Sequence, residues 1–292
     1  MTTTVEIEAV LRVEDLAKRY GAKPVLAGCT FELYAGQVTA LVGANGAGKT
    51  TLLTVLSGLL APDGGTVVAC GRVALVAQDR PLYDHLSARD MLRMARHLNL
   101  VWDEDRATRW LRRFHVPPNR LCGRLSTGQR TQVALAVALG RVPDVLLLDE
   151  PLANLDPLVR NEVMAELLTE AAETEMALLM STHVVAELGG VADNLLVLTH
   201  GTITLAGQID DLLANHRFYV GPRSASPPTG TVVRETHSEQ QSTFLVTLET
   251  EPDETPDDAE NEWVVRPATV KDIVVAHLAN AREVAWHDRA HA

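Results

Sequence analysis

GANGAGKTT, residues 43–51, is the stretch on which the fold turns. It satisfies the pattern G-x-x-x-x-G-K-[ST] in full and lies between a short apolar run, VTALVG, and a segment with helical spacing, KTTLLTVLSGLL. Gly43, Gly46 and Gly48, with Asn45 among them, let backbone N–H groups curl around an anion, and the N-terminus of the following helix adds a positive dipole end. Lys49 supplies a point charge for the β- and γ-phosphates of a nucleotide. Thr50 offers a hydroxyl to a Mg²⁺ ion, and Thr51 continues the turn. A glycine-rich turn serving structure alone has no need of the lysine–threonine pair.

A phosphate loop does not choose among kinases, GTPases and motors. VLLLDE narrows the choice by placing Asp149 and Glu150 at the C-terminal end of a buried strand, where open α/β sheets hold their ligands. Asp149 can hold Mg²⁺ through its water shell, and Glu150 can orient and deprotonate an attacking water. His183 ends another apolar strand, in MSTHVV, and could hydrogen-bond a γ-phosphate and attacking water, although, read alone, a satisfied histidine at a strand end is the commoner case. Gln78, closing VALVAQ, could reach Mg²⁺ or water, or could simply be a polar strand end.

LSTGQ, residues 125–129, is a second place shaped for an anion. Ser126 suits a helix N-cap and can turn its hydroxyl outward, Gly128 leaves the backbone bare, and Gln129 opens a helix that buries Val133, Leu135 and Ala136. Read locally, this is also what any capped helix looks like.

Further out, strands and helices alternate around the phosphate loop. This predicts an α/β core with a mostly parallel sheet. VEIEAVLRV and TFELYAG alternate apolar and polar residues and predict strands at the start. Residues from about 79 to 135 interrupt the alternation with helix formers and read as a helical insertion subdomain. Asp156-Pro157 starts another helix, and NLLVLTHGTITLAG reads as a hairpin around His200-Gly201. After residue 215 the character changes: GPRSASPPTG is a Pro/Gly/Ser segment, TVVRETHSEQQSTFLVTLE a hairpin, ETEPDETPDDAENE an acidic loop, and WVVRPATVKDIVVAHLANA a strand and amphipathic helix. The expected division is a nucleotide-binding domain over 1–215 and a small C-terminal α+β appendage over 216–292.

The 292 residues, 46% hydrophobic, suffice for a sizeable core. A net charge of −12 disfavours nucleic acid as a partner. Cys29, Cys70 and Cys122 are far apart, without metal-ligand spacing, and fit a reducing compartment. The first residues lack the basic start and apolar core of a signal peptide, and no apolar run approaches the roughly 18 residues that span a bilayer.

The order of these pieces is itself informative. Tyr20 precedes GANGAGKTT; Gln78, LSTGQ, VLLLDEP, ANLD and His183 follow. Along residues 5–215 the chain resembles the nucleotide-binding subunit of ATP-binding-cassette (ABC) transporters. The resemblance implies that ATP and Mg²⁺ are bound. The strands at the start would gather into a small antiparallel β subdomain. Tyr20 would stack on adenine, and Gln78 would sit in a nucleotide-sensing hinge. Asp156 would lie at a subunit contact. It further implies that two copies pack head to tail, so that Ser126 and Gly128 of one complete the γ-phosphate cage built by Lys49 of the other. Thr127 departs from the commonest pattern, which has glycine there, and must be helical or extended because threonine dislikes positive φ.

The resemblance also implies a separate integral membrane subunit, a location at the cytoplasmic face of the membrane, and a docking groove lined by residues just after Gln78, including Leu82 and Tyr83. DEPLANLDP, STHVVAEL and the extra C-terminal region are most like ATPases of bacterial ABC-2-type drug or lipid exporters. Two other classes stand beside this one. An ABC ATPase acting on nucleic acid or ribosomes usually has coiled-coil insertions or two cassettes in one chain, neither of which is present. A non-catalytic sensor is disfavoured by Lys49, Asp149, Glu150 and His183.

Overall fold

The computed structural model describes residues 9–153, 155–182, 190–248 and 263–290. In chain order its strands and helices begin with β1 (Ala9–Tyr20), β2 (Lys23–Tyr34), β3 (Val38–Val42), α1 (Lys49–Leu56), β4 (Gly64–Ala69) and β5 (Val73–Val76). Next come α2 (Ala88–Leu98), α3 (Glu104–Arg113), α4 (Thr127–Gly140), β6 (Val145–Asp149), α5 (Pro157–Thr174) and β7 (Ala177–Thr182). The chain continues through β8 (Asn194–Thr199), β9 (Thr202–Gln208), α6 (Ile209–Asn215), β10 (His216–Pro222), β11 (Thr231–His237), β12 (Gln241–Thr247), β13 (Val264–Pro267) and α7 (Val270–Ala290).

The central sheet has the order β5-β6-β7-β3-β8-β9 and is parallel except for the β8–β9 hairpin, which turns at His200–Gly201 as its sequence predicts. Because both faces are covered, β3, β6 and β7 are buried along their whole length and read as continuous apolar runs. Successive residues serve opposite faces. Leu41, Leu147 and Leu179 pack with α1 and the three-stranded antiparallel sheet β2-β1-β4. Leu146, Leu148 and Met180 pack against the helices α2 to α5. Strand β4 was not legible in the sequence: TVVA is mostly exposed, and it is a strand because it pairs with β1 across more than fifty residues.

The helical subdomain is built on α2 and α3, each capped by its own side chain. Ser87 accepts from the Asp90 amide and Asp103 from the Arg106 amide. Their apolar faces meet α4 through Met91, Leu92, Trp110, Leu111 and Val133, and the Trp110 indole donates to Gln132.

The C-terminal region forms a four-stranded antiparallel sheet, β11-β12-β10-β13, in which β11–β12 is the expected hairpin. Helix α7 lies between this sheet and the core: Val274 and Leu278 reach Ala40, Val42 and Val197 of the central sheet, while Ile273 and Ala276 reach Leu245 of β12. The acidic stretch over 249–262 lies outside the described residues.

Candidate functional site

The phosphate loop joins β3 to α1. Gly48 has φ +110, and a Cβ there would sit 3.0 Å from the Val25 carbonyl, so both backbone angle and close approach require glycine. The helix therefore begins at Lys49 with its first amides open toward the loop. Lys49 is buried; its Nζ donates to the Gly43 carbonyl at 2.8 Å and stands 3.9 Å from Glu150 Oε1. Burial pushes the lysine below its ordinary pKa, opposed by the charges of Glu150 and Asp149. An ammonium held in this way is stabilised by any anion that replaces water in the loop.

Across from it, β6 ends in the two carboxylates. Asp149 is only 2% exposed. Its Oδ1 accepts from the Ser181 hydroxyl at 2.7 Å, and its Oδ2 has no hydrogen-bond partner among the described residues. A buried carboxylate oxygen without a donor is costly unless a cation completes it. The site therefore fits Mg²⁺, with Asp149, the Thr50 hydroxyl and the Gln78 amide as the oxygen donors available.

Glu150 has φ +46, a left-handed conformation that costs a non-glycine residue of order 1–3 kcal/mol. The amide that this turn presents donates to Ser181 Oγ at 2.9 Å. Its carboxylate takes a hydrogen bond from Gln78 Nε2 at 3.4 Å.

Asn45, Gly46, Gly48, Lys49, Thr50, Thr51, Gln78 and Glu150 thus line one cleft of about 470 Å³. Lys23 and Val25 line it as well, and nothing in their local sequence marked them. Tyr20 is half exposed at the hairpin tip, directly opposite Lys23 in the β1–β2 register. Ser181 and Arg80 were missed too. Arg80 is buried and donates to the carbonyls of Gln78 and Pro151, which ties the segment after Gln78 to the residue that follows Glu150.

Ser126, Gly128 and Gln129 are not among the residues lining this cleft. Ser126 caps α4 in a reciprocal capping box. Gln129 N donates to Ser126 Oγ and Ser126 N donates to Gln129 Oε1, each at 3.2 Å. Thr127 is the first residue of the helix, the conformation its side chain demands. Asp156 caps α5, accepting from the Leu158 amide at 2.9 Å. His183 and Asn154 lie outside the described residues.

Residues 26–153 match the family model described as ABC transporter. The aliphatic sulfonates import ATP-binding protein of Corynebacterium glutamicum is 35% identical over 215 residues, which span 72% of this chain and 88% of that protein. The thiamine import ATP-binding protein of a Jannaschia species is 34% identical over 223 residues, spanning 71% of this chain and 96% of that protein. Among solved structures, cbiO1 from Clostridium perfringens, described as part of the ABC transporter complex cbiONQ, superposes with a TM-score of 0.60 at 29% identity, covering 71% of this chain and 91% of that one.

Proposed function

This chain belongs to the ATP-binding subunits of ABC transporters, and from that premise we propose how its residues perform the ATPase cycle that drives transport. The observation that carries the proposal is the meeting of Lys49, Gln78 and Glu150 at the mouth of the phosphate loop. A triphosphate entering the cleft draws Lys49 Nζ from the Gly43 carbonyl to the β- and γ-phosphate oxygens, while the loop amides take the remaining charge. Glu150 aligns a water behind the γ-phosphorus and accepts its proton as the phosphoryl group passes from ADP to that water. His183 is assigned to the γ-phosphate, and Tyr20 to the adenine face. Mg²⁺ held by Thr50, Asp149 and Gln78 would neutralise phosphate charge when bound.

The second anion site is assigned to a partner copy. Ser126 and Gly128 stand at an exposed helix N-terminus with no acidic residue in its first turn, away from their own cleft. In a head-to-tail homodimer they close the γ-phosphate cage of the other copy, with Asp156 at the contact. Bound ATP holds the two together, and loss of the γ-phosphate lets them part.

No described helix is long and apolar enough to cross a membrane, so the pore is assigned to a separate membrane subunit that places this chain at the cytoplasmic face. We assign residues 1–215 to the ATP-binding domain and 216–292 to an accessory region. Export is our reading of the sequence layout around DEPLANLDP and the C-terminal region. The relatives matched along the cassette are named for import, and both directions use the same hydrolysis.

Phosphate release by wild type and Glu150→Gln tests the base. A fall of roughly 100-fold or more with ATP binding retained is expected, and equal rates would remove Glu150 from the role. Mixing Lys49→Ala with Ser126→Glu tests the shared site. Each variant alone is expected to be inactive, whereas the mixed dimer keeps one site with both native residues. Failure of activity to return on mixing removes the head-to-tail arrangement. Uptake into inside-out vesicles carrying the complete transporter, with ATP outside, reads the direction.

A further inference from the structure

The helical subdomain carries a surface that the ATPase cycle does not use. Residues 79–135 contain eleven arginines against six carboxylates, in a chain whose net charge is −12. This positive lobe is concentrated on α2 and α3. Between those helices lies a cleft of about 520 Å³ floored by Leu92, Leu111 and Val116, with Arg89, Arg96 and Arg112 at its rim. None of these three guanidinium groups has an ion-pair partner among the described residues. Neighbouring charges are already engaged: Arg93 is paired with Asp90 at 3.1 Å, and Glu104 at the cleft edge accepts from the Trp102 indole at 2.7 Å.

The turn that joins the two helices is apolar and faces outward. Leu98 is 74% exposed, Leu100 fully so and Val101 44%. The turn is fixed in that position. Asn99 donates back to the Ala95 carbonyl, closing α2, and the Asp103 amide donates to the Gly140 carbonyl at 2.7 Å. Trp102 packs so closely on Gly140 that a Cβ there would meet its ring at 2.6 Å. The three aliphatic residues therefore cannot fold back onto the lobe. Leaving them in water costs burial that a monomer would ordinarily recover.

We propose that the α2–α3 hairpin is a peripheral membrane-contact surface that binds acidic phospholipid, with Leu98, Leu100 and Val101 entering the interface and Arg89, Arg96 and Arg112 taking lipid phosphates. The aliphatic residues sit on a projecting turn, which fits insertion among headgroups better than it fits a protein groove. The cleft beside it has an apolar floor beneath a cationic rim, which matches an anionic amphiphile. The positive lobe also orients an otherwise acidic chain toward a negative membrane surface.

The test is flotation of the full chain, without nucleotide, with phosphatidylglycerol-containing vesicles and with pure phosphatidylcholine vesicles, in parallel with basal phosphate release. Wild type is expected to float with the acidic vesicles, to release from them as salt rises, and to stay behind with phosphatidylcholine. Arg96→Glu/Arg112→Glu is expected to lower bound protein by about tenfold or more. Leu100→Asp is expected to weaken binding, and both variants keep wild-type ATP turnover, which shows that they are folded. Arg234→Glu/Lys271→Glu carries the same charge change on the C-terminal region and is expected to bind as wild type does. Equal binding to both vesicle types overturns the proposal, as does loss of binding in the control pair alone. Arginine variants that float normally but fail to assemble with the membrane subunit would make the surface a protein contact and overturn the lipid assignment. None of these outcomes depends on which residue is the catalytic base.

Discussion

The Ser181 hydroxyl donates to Asp149 Oδ1 at 2.7 Å and, through the same oxygen, accepts the Glu150 amide at 2.9 Å. One buried hydroxyl at the end of β7 therefore orients the Asp149 carboxylate and holds the backbone of the adjacent glutamate in its left-handed conformation. Among the described residues, Asp149 Oδ2 has no hydrogen-bond donor.

Ser181→Ala removes a donor and an acceptor together. Leaving those groups unsatisfied costs about 1–3 kcal/mol, which spent on the transition state is about tenfold or more in rate. We expect kcat for ATP hydrolysis to fall by that amount, KM for ATP to change far less, and Ser181→Thr to restore most of the rate. A matched loss in kcat and thermal stability that threonine does not rescue would show a packing role only.

Arg106 and Glu170 tie the helical subdomain to the core. The guanidinium Nε donates to Glu170 Oε2 at 2.6 Å, and both side chains are buried, with Arg109 3.7 Å away on the outside. Arg106→Met strands a buried carboxylate. The expected loss is about 3 kcal/mol in denaturant unfolding. Arg106→Met/Glu170→Met should recover most of it, because the pair's attraction mainly offsets its own desolvation.

Tyr83 is half exposed on the segment after Gln78, whereas its neighbour Leu82 packs against the helical core. Tyr83→Asp is expected to leave basal ATP turnover of the isolated subunit within about twofold, since surface changes away from packed groups cost about 0.5 kcal/mol or less. In the assembled transporter it is expected to abolish transport-coupled stimulation. Unchanged transport would exclude this segment from the docking groove.

His216 and His277 meet edge to face, 6.3 Å between ring centroids, where β10 and α7 join. His216 Nδ1 lies 2.7 Å from the Leu212 carbonyl and Nε2 lies 3.0 Å from Thr247 Oγ1, so the neutral tautomer with Nδ1–H satisfies both. Burial lowers both pKa values below the ordinary 6.5; Arg217 lowers His216 further, and His216 lowers His277. Above pH 6.5 both rings are neutral, folded or unfolded. Below it the unfolded chain binds more protons, so stability falls with pH. Melting temperature is expected to drop by several degrees between pH 7.5 and 5.5, about 2–4 °C per kcal/mol, and His277→Gln should flatten the profile. An unchanged slope in that variant would place the acid sensitivity elsewhere.

The sequence alone determined the nucleotide class and the parallel core and named Lys49, Gln78, Asp149 and Glu150 as candidates, because phosphate loops, strand-end carboxylates and capped helices are local patterns whose chemistry resides in neighbouring residues. It also marked Ser126 as a helix cap, whereas its absence from the lining of its own chain's cleft was expected only from the family resemblance, because local residues do not say where a helix start points. Ser181, Arg80, Lys23 and the strand β4 were silent for one reason: Ser181 and Arg80 have their meaning from partners 31 and 71 residues away, Lys23 from the cleft it lines, and β4 from its register with β1. The same holds for α7, whose amphipathic spacing predicted a helix but not that it would lie between two sheets. Local propensity fixes what an element is. Which other element buries its exposed face is decided only when the whole chain competes for that surface.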